Sequence, residues 1–226
     1  GSKSFTNRSL IIAAQRMGQT TISGALHSDD TDHLARALDS MAGLTVTRTA
    51  DGYKVNREME TVRAPGSPAF INGAGTPARL LMGFAASLEG ETLITGNTRL
   101  SERPMGDLLA AFSALGIPFS CEGRDNCLPI RIAGKMPSGD IWSVSGAVSS
   151  QFTSSLLLLA ASREVGQKTI VEVHDRLVSR PYVEMTLRML RDCGIPAHAV
   201  GEQKFEVVAA RPNRDEITIE PDASAM

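Results

Sequence analysis

SLLLLAASREVGQKTIVEV, residues 155–173, is the stretch that decides the fold, because its pattern occurs three times in the chain. An apolar run ends near Gly166 and a β-branched run follows, which is typical of a helix that stops at a glycine before a strand. The same order occurs in SLIIAAQRMGQTTISG (residues 9–24) and in RLLMGFAASLEGETLITG (residues 79–96). Self-similarity of this kind predicts an internal repeat.

Each copy continues into a second helix that begins at a serine and ends at a glycine. The three segments are SDDTDHLARALDSMAGLTV (28–46), SERPMGDLLAAFSALGIPF (101–119) and VSRPYVEMTLRMLRDCGIPA (178–197). Ser28, Ser101 and Ser179 are suitable N-cap residues. The glycines that end the first and second helices lie 25, 26 and 28 residues apart, and the copies recur every 72 to 78 residues.

Short strands complete each unit. They are predicted at GYKVN, LPIRIAG and KFEVVAA, and a further strand, as in DIWSVSG and DEITIEP, leads to the next loop. The pattern predicts an α/β (α+β) fold of three helix–strand–helix–strand–strand units, at about residues 3–71, 72–146 and 147–222. The first helix of each unit is apolar on nearly every side and is therefore expected to be buried. We expect a pseudo-threefold arrangement with buried helices at the centre and sheets outside.

Composition excludes several classes of function. The chain has 226 residues and a net charge of −2, which argues against a general nucleic-acid-binding surface. Its three cysteines lack C-x-x-C spacing, which favours free thiols in a reducing compartment, and its four histidines lack metal-ligand spacing. There is no apolar run of membrane-spanning length and no signal-peptide pattern, so we expect a cytoplasmic protein without a membrane partner. The last residues, EPDASAM, resemble the start of another loop and suggest a fragment.

Cationic residues concentrate in the loops that precede the predicted helices. GSKSFTNRS, NGAGTPAR and SGAVSSQFTSS precede the buried helices, while RLSERP and DRLVSRP precede the second helices. Lys and Arg at helix starts oppose the helix dipole, so a bound anion is the expected compensation. The alternative is that these cations are solvated or paired with Asp29, Asp30 and Glu102. The set as a whole predicts two phosphate or carboxylate sites on one face.

Several of these segments together resemble a known family. GSKSFTNRSLIIAA, HSDDTDHL, NGAGTPARL, ITGNTRLSERPMGDLL, GAVSSQFTSSLLL, LVSRPYVEMTL and DAS are similar, in this order, to motifs of the EPSP synthase (3-phosphoshikimate 1-carboxyvinyltransferase) family. The resemblance implies one lobe of a two-lobed, inside-out-barrel enzyme. That enzyme transfers the enolpyruvyl group of phosphoenolpyruvate (PEP) to the 5-hydroxyl of shikimate 3-phosphate, with no metal or organic cofactor. The second lobe, which supplies a catalytic Asp, Glu and Lys, has no counterpart in this chain.

The resemblance also implies roles for individual residues. Ser149, Ser150 and Ser179 would hold the phosphate of shikimate 3-phosphate, with Ser4 and Arg8 on its carboxylate side and Tyr182 lining its ring. Gln151 would bridge both substrates, and Arg103 would hold PEP together with backbone N–H groups near Gly75. Lys3 would contact PEP, shikimate 3-phosphate and the reacting hydroxyl, which makes it the expected catalytic residue. The expected partners are therefore these two small molecules and the second lobe, in a monomer.

One loop departs from the family pattern. The family usually has the order L-G-N-A-G-T, whereas this chain has Ile71-Asn72-Gly73-Ala74-Gly75-Thr76, and position 80 is Leu where many members have Pro. The exchange lies in the loop that recognises PEP and its mimic glyphosate, so we expect altered or weakened binding of PEP. Two alternatives stay open: an enolpyruvyl transferase that acts on another alcohol, and a non-catalytic module that binds phosphometabolites.

Overall fold

The computed structural model of the chain describes residues 1–220. Within that range the helices are α1 (Lys3–Gln15), α2 (Asp29–Asp39), α3 (Gly75–Ala85), α4 (Thr98–Ser101), α5 (Gly106–Ala114), α6 (Ser150–Ala161) and α7 (Arg180–Asp192). The strands are β1 (Gly18–Ser23), β2 (Leu44–Arg48), β3 (Gly52–Arg57), β4 (Ala69–Phe70), β5 (Glu91–Thr95), β6 (Phe119–Cys121), β7 (Ile130–Ala133), β8 (Ile141–Val144), β9 (Lys168–Val173), β10 (Ala197–Ala199), β11 (Lys204–Val208) and β12 (Glu216–Thr218).

The strands form three four-stranded sheets with one shared topology. Their orders are β12-β1-β3-β2, β4-β5-β7-β6 and β8-β9-β11-β10. In each sheet one of the two outer strands (β12, β4 or β8) comes from the neighbouring repeat. It pairs in parallel with the strand that follows a buried helix. The last described strand, β12, returns to β1, so the three repeats close into a ring.

The first helices of the three repeats form the interior. Every residue of α1 from Thr6 to Gln15 is buried, as are nearly all residues of α3 and α6. Helices of this kind, apolar on nearly all sides, are stable only when they are surrounded by protein. The predicted α/β fold with buried helices inside and sheets outside is confirmed.

Hydrogen bonds show that these helices run in the same direction. From α6 to α3, Gln151 donates to Thr76 at the first turn, and Ser155 donates to the carbonyl of Arg79 one turn later. The same order holds between α1 and α6. Arg8 donates to Ser154, and Gln15 donates to the carbonyl of Leu158. The N-terminal ends of all three buried helices therefore lie at one end of the molecule.

The observed units differ in detail from the predicted ones. A short strand, β2, β6 or β10, stands between the second helix and the strand predicted after it. The first helices end at Gln15, Ala85 and Ala161, several residues before the glycines predicted to end them. The glycines instead turn the chain into the next strand, as the positive φ of +99° at Gly90 shows.

Of the three serines predicted as N-caps, one caps its helix with its side chain and two do not. Ser28 caps α2 in a capping box with Thr31. The prediction for Ser101 is wrong, because this residue ends the short helix α4, and α5 begins only at Gly106 with Met105 as its N-cap. Ser179 occupies the N-cap position of α7, but its side chain makes no capping bond. The D-A-S motif at 222–224 lies outside the described residues.

Candidate functional site

Two guanidinium groups meet at the N-terminus of α3. A Cβ atom placed on Gly75, the first residue of the helix, would lie 2.7 Å from Nη1 of Arg103 and 3.4 Å from Nη1 of Arg79. Only a glycine lets both groups approach the backbone this closely. The amide groups of a helix N-terminus carry partial positive charge, so three sources of positive potential coincide. This is the electrostatic arrangement of an anion site.

Arg79 connects this end of α3 to α6. Its Nη1 donates to Oε1 of Gln151 at 2.6 Å, and its Nη2 donates to the carbonyl of Pro104 at 3.1 Å. Gln151 in turn donates to Oγ1 of Thr76 at 2.7 Å. The guanidinium also lies over the ring of Phe152, 5.0 Å from its centroid. The side chain that was predicted to bridge two substrates is therefore held between two residues of α3.

The charge on Arg79 is poorly compensated by the protein. The residue is 8 % exposed, and burial followed by the neighbouring charge of Arg103 lowers the pKa of its guanidinium to about 10. Its Nε is buried without a hydrogen-bond partner. Within residues 1–220, neither arginine forms a salt bridge with a carboxylate. Burying a cation without an acid is costly, so the pair favours a ligand of opposite charge.

A second buried arginine lies between α1, α6 and α7. Arg8 is 1 % exposed, and its Nε and Nη2 donate to Oγ1 of Thr186 at 2.7 Å and to Oγ of Ser154 at 3.2 Å. It also donates to the carbonyls of Ser4 at 3.0 Å and Tyr182 at 3.3 Å. All these acceptors are neutral, and burial lowers the pKa of the Arg8 guanidinium to about 10.

The serine-rich loops meet at the start of α6. Oγ of Ser149 accepts from the amide of Gln151 at 3.2 Å and so caps the helix. Ser150 is 4 % exposed and makes no side-chain hydrogen bond within the described residues. The amide of Val178 donates to the carbonyl of Gly146 at 3.1 Å, which joins the loop before α6 to the loop before α7. The next residue, Ser179, has the left-handed backbone conformation with φ +53°.

Lys3 stands apart from these contacts. Its Nζ lies 2.8 Å from Oδ2 of Asp30 on α2, and the side chain is 49 % exposed. The alternative in which a predicted cation pairs with a nearby acid therefore holds for this lysine. Arg180 is also paired, but with Glu184 at 3.0 Å, which is not one of the acids predicted for this role.

The loop before α3 contains the exchanged Asn–Gly pair. Asn72 has φ +54°, a left-handed conformation that asparagine tolerates better than most residues. Its Oδ1 accepts from Nδ2 of Asn97 at 2.9 Å, and its carbonyl accepts from the Asn97 amide at 2.9 Å. A Cβ on Gly73 would lie 3.1 Å from the same Nδ2. The side-chain amide of this loop is therefore at position 72, where it is bonded to the next loop, and position 73 has none.

The structure brings Ser4, Arg8 and Tyr182 into one group and Gly75, Arg103 and Gln151 into another, both at the N-terminal end of the buried helices, whereas Lys3 lies apart. Around Arg8 stand Ser4 and Tyr182, and a groove of about 860 Å³ between α1, α7 and β12 opens beside them. The other group surrounds Gly75. The sequence motifs give no role to three residues that the structure places at the site, namely Thr76, Ser154 and Thr186. They predict Arg79 only as one of the loop cations. Within residues 1–220 there is no cluster of His, Cys, Asp or Glu suited to a metal ion. No helix of that range is long and apolar enough to cross a membrane.

Comparison with known proteins gives the family. The model of EPSP synthase (3-phosphoshikimate 1-carboxyvinyltransferase) matches residues 1–226. The chain belongs to the EPSP synthase family. The 3-phosphoshikimate 1-carboxyvinyltransferase of Trichormus variabilis is 34 % identical over 226 residues, which are 99 % of this chain and 53 % of the relative. That of Methanospirillum hungatei is 36 % identical over 217 residues, 94 % of this chain and 49 % of the relative.

A solved structure of the family agrees with the fold. EPSP synthase from Acinetobacter baumannii matches with a TM-score of 0.84 at 25 % identity, over 100 % of this chain and 49 % of that chain. The chain thus spans about half the length of the family members it matches. The family resemblance inferred from the sequence motifs is confirmed.

Proposed function

We propose that this chain is the lobe of an EPSP synthase that holds shikimate 3-phosphate and one side of PEP. The reaction of the whole enzyme adds the 5-hydroxyl of shikimate 3-phosphate to the enol of PEP and then eliminates phosphate. Both substrates carry a phosphate and a carboxylate, so their charges must be neutralised before they approach one another.

The observation that supports this proposal is the pair of nearly buried arginines, Arg8 and Arg79, at the N-terminal end of the central helices. Both donate only to neutral acceptors within residues 1–220. A structural arginine of this burial is normally paired with an acid, because an unpaired buried charge is costly. Anionic ligands provide the missing counter-charge at both places.

We assign the two anions to separate ends of the site, an assignment that the positions of the cations and the serine hydroxyls support. PEP takes the positive N-terminus of α3, where Arg103 offers a planar pair of donors to a carboxylate or phosphate. The phosphate of shikimate 3-phosphate takes the hydroxyl groups of Ser149, Ser150 and Ser179. Its carboxylate is oriented by Ser4 and Arg8, and its ring lies against Tyr182.

Gln151 and Lys3 complete the proposed site. The amide of Gln151 stands between the two groups and reaches both ligands. Lys3 leaves its exposed pair with Asp30 to contact the reacting hydroxyl and the phosphate of PEP. An exposed ion pair contributes little, about 0–1 kcal/mol, so a dianion competes for the lysine without difficulty. Within residues 1–220 we assign no carboxylate to the reacting groups, so we expect the lobe alone to bind its ligands without turnover.

We also propose the division of the chain into repeats near 3–71, 72–146 and 147–222, and a second lobe of similar size as its partner. The reading frame around this segment tests the latter directly. A further segment of about the same length, with three more repeats, supports the enzyme. A reading frame without one supports the non-catalytic binding module instead.

Calorimetric titration of this chain with shikimate 3-phosphate and with PEP tests the site. Arg8→Ala and Ser150→Ala are each expected to weaken the binding of shikimate 3-phosphate by at least about tenfold, since each removes a bond to a charged ligand. Arg63→Ala, which removes an exposed arginine paired with Glu89, is the matched control and leaves the affinity unchanged. Equal affinities for the parent chain and Arg8→Ala would contradict the proposal. Tighter binding of a different phosphorylated alcohol would favour the alternative transferase.

A further inference from the structure

The parallel strand pairs of the three sheets end in the same register, at the point where the chain leads towards a buried helix. In the parallel pairs, Phe70 is opposite Thr95, Val144 is opposite Val173, and Thr218 is opposite Ser23. Counting two residues past these pairs makes Asn97, Asp175 and Ala25 equivalent positions. The same count on the other strand makes Asn72, Gly146 and Glu220 equivalent.

Two of these equivalent positions carry side chains that bond across to the other strand's loop. Asn97 donates from Nδ2 to Oδ1 of Asn72 at 2.9 Å. Asp175 accepts with Oδ1 from the amide of Gly146 at 2.7 Å and with Oδ2 from Oγ of Ser145 at 2.7 Å. We call these contacts the second-repeat clamp and the third-repeat clamp. In the first repeat, Ala25 has no polar side chain with which to form one.

Each clamp joins two loops that lead to the same substrate group. From Asn72 the chain reaches Gly75, and from Asn97 it reaches Arg103, which lies against Gly75. Asn97 also accepts from the amide of Leu100 at 3.0 Å and so starts α4 on the way to that arginine. The second-repeat clamp therefore ties together both halves of the proposed PEP group.

The third-repeat clamp does the same for the serine loops. Gly146 leads to Ser149, and Asp175 leads to Ser179. Gly146 is packed tightly: a Cβ there would lie 2.6 Å from Cγ1 of Val173 and 3.0 Å from Cα of Leu177. The loop thus approaches the third-repeat strand closely, and the carboxylate of Asp175 fixes its amide at that distance.

We infer that Asn97 and Asp175 are positioning residues, each of which fixes one substrate subsite independently of the other. The inference rests on the proposed function for the identity of the ligands. It goes further in assigning to these two residues, which touch neither ligand, separate control of PEP and of shikimate 3-phosphate. Groups that orient ligand-binding residues in this way usually affect affinity without contacting the ligand.

The test measures the affinity of two variants of the chain, Asn97→Ala and Asp175→Ala, for each of the two ligands. Asn97→Ala is expected to weaken binding of PEP about three- to tenfold and to leave binding of shikimate 3-phosphate unchanged, because two neutral hydrogen bonds, to Asn72 and from Leu100, are lost. Asp175→Ala is expected to weaken shikimate 3-phosphate by about tenfold or more and to leave PEP unchanged, because its bonds are charge-assisted. Asp175→Asn keeps the shape and an acceptor for Gly146, and is expected to restore most of the affinity.

Asp51→Ala is the matched control, since it removes a comparable carboxylate bond to the amide of Gly24 in the first repeat. It is expected to change neither affinity. If Asn97→Ala or Asp175→Ala weakens both ligands equally, the residues are only structural and the inference is overturned.

Amide hydrogen exchange separates this inference from the proposed function. Asp175→Ala is expected to speed exchange at Gly146, and Asn97→Ala is expected to speed exchange at Leu100, in the absence of any ligand. Failure of the parent chain to bind either ligand would contradict the proposed function while leaving this exchange result intact. Unchanged exchange at Gly146 would overturn the third-repeat clamp, and unchanged exchange at Leu100 would overturn the role of Asn97 in starting α4.

Discussion

Arg79 and Gln151, which are 72 positions apart in the chain, form a hydrogen bond of 2.6 Å that joins the first turns of α3 and α6. The arginine is almost buried and the acceptor is neutral, so the bond orients the guanidinium without cancelling its charge. The charge remains available to an anion at the end of α3. Replacing the acceptor by a carboxylate separates these two effects.

Gln151→Glu is expected to raise the free energy of unfolding by about 1 kcal/mol, because a charge-assisted bond replaces a neutral one. The same variant is expected to weaken PEP by at least about tenfold, since Arg79 then has an internal counter-charge. Urea unfolding and calorimetric titration measure the two quantities. Gln151→Met, which has neither charge nor amide, is the control and is expected to lose both stability and affinity. Tighter binding of PEP by the Glu variant would contradict this account.

Asp30→Asn is expected to release Lys3 for the ligand. The ion pair is exposed, so the gain in affinity for shikimate 3-phosphate and PEP is limited to about two- to fivefold. The gain is expected to shrink as salt rises, because exposed charges are screened. Titrations at low and high ionic strength measure it. Glu122→Gln breaks the surface pair with Arg131 and serves as the control; an equal gain in that variant would count against a specific role for Lys3.

Restoring the family order with Asn72→Gly/Gly73→Asn is expected to tighten PEP about three- to tenfold, through one added hydrogen bond. The new side chain at 73 begins 3.1 Å from Nδ2 of Asn97. Its Oδ1 is expected to accept from that Nδ2 in place of Asn72, so the second-repeat clamp is kept while the Nδ2 of residue 73 is free to bond PEP. Shikimate 3-phosphate is expected to bind as before. The double variant is titrated with PEP, glyphosate and shikimate 3-phosphate; unchanged PEP and glyphosate affinities would refute the prediction.

Tyr53 gives the fold a dependence on alkaline pH. Burial, together with the nearby Asp32, raises its pKa to about 12, although the hydrogen bond to Thr31 acts in the opposite direction. In the unfolded chain a tyrosine titrates near 10. The stability that comes from keeping this phenol protonated is therefore complete below about pH 10 and is lost as pH rises towards about 12.

Tyr53→Phe is expected to lower stability at neutral pH by about 1 kcal/mol, because the hydroxyl's bonds to Thr31 and Asp32 are lost. Between about pH 10 and 12 the variant is expected to lose less stability than the parent, so their unfolding midpoints converge. Urea unfolding at a series of pH values measures the difference. Parallel curves for the two proteins would show that Tyr53 does not titrate in this range.

The repeat was predictable from sequence because burial and turns leave local marks. The run from Leu156 to Ala161 is apolar all round, and Gly116 and Gly194 both have the positive φ that favours glycine after a helix. The prediction for Ser101 failed because Pro104 follows shortly after. A proline disfavours helical backbone at the residue before it, which delays the start of α5. The strand β6 was missed because its three residues, Phe119–Cys121, show too little alternation.

The positive charge of the candidate site was predictable from the sequence, but the hydrogen-bond and ion-pair partners of its residues were not. Cations and small donors at helix starts identified the end of the molecule where anions are expected. The bond from Arg8 to Thr186 spans 178 positions, and no local pattern marks it. The pairing of Lys3 with Asp30 was foreseeable only as one of several alternatives, since the choice depends on how α1 packs against α2.

Because β12 pairs with β1, the three repeats form a closed ring. Opening the chain at a different loop would therefore leave the order of the repeats around that ring unchanged. Ile219 bonds through its amide to the carbonyl of Ser23, so residues 216–218 complete a sheet that the first repeat begins. That sheet gains its fourth strand only after nearly all of the described chain has been synthesised. A circular permutant opened in the loop near residue 136 would let the first repeat's sheet form early, and would keep every strand pair intact.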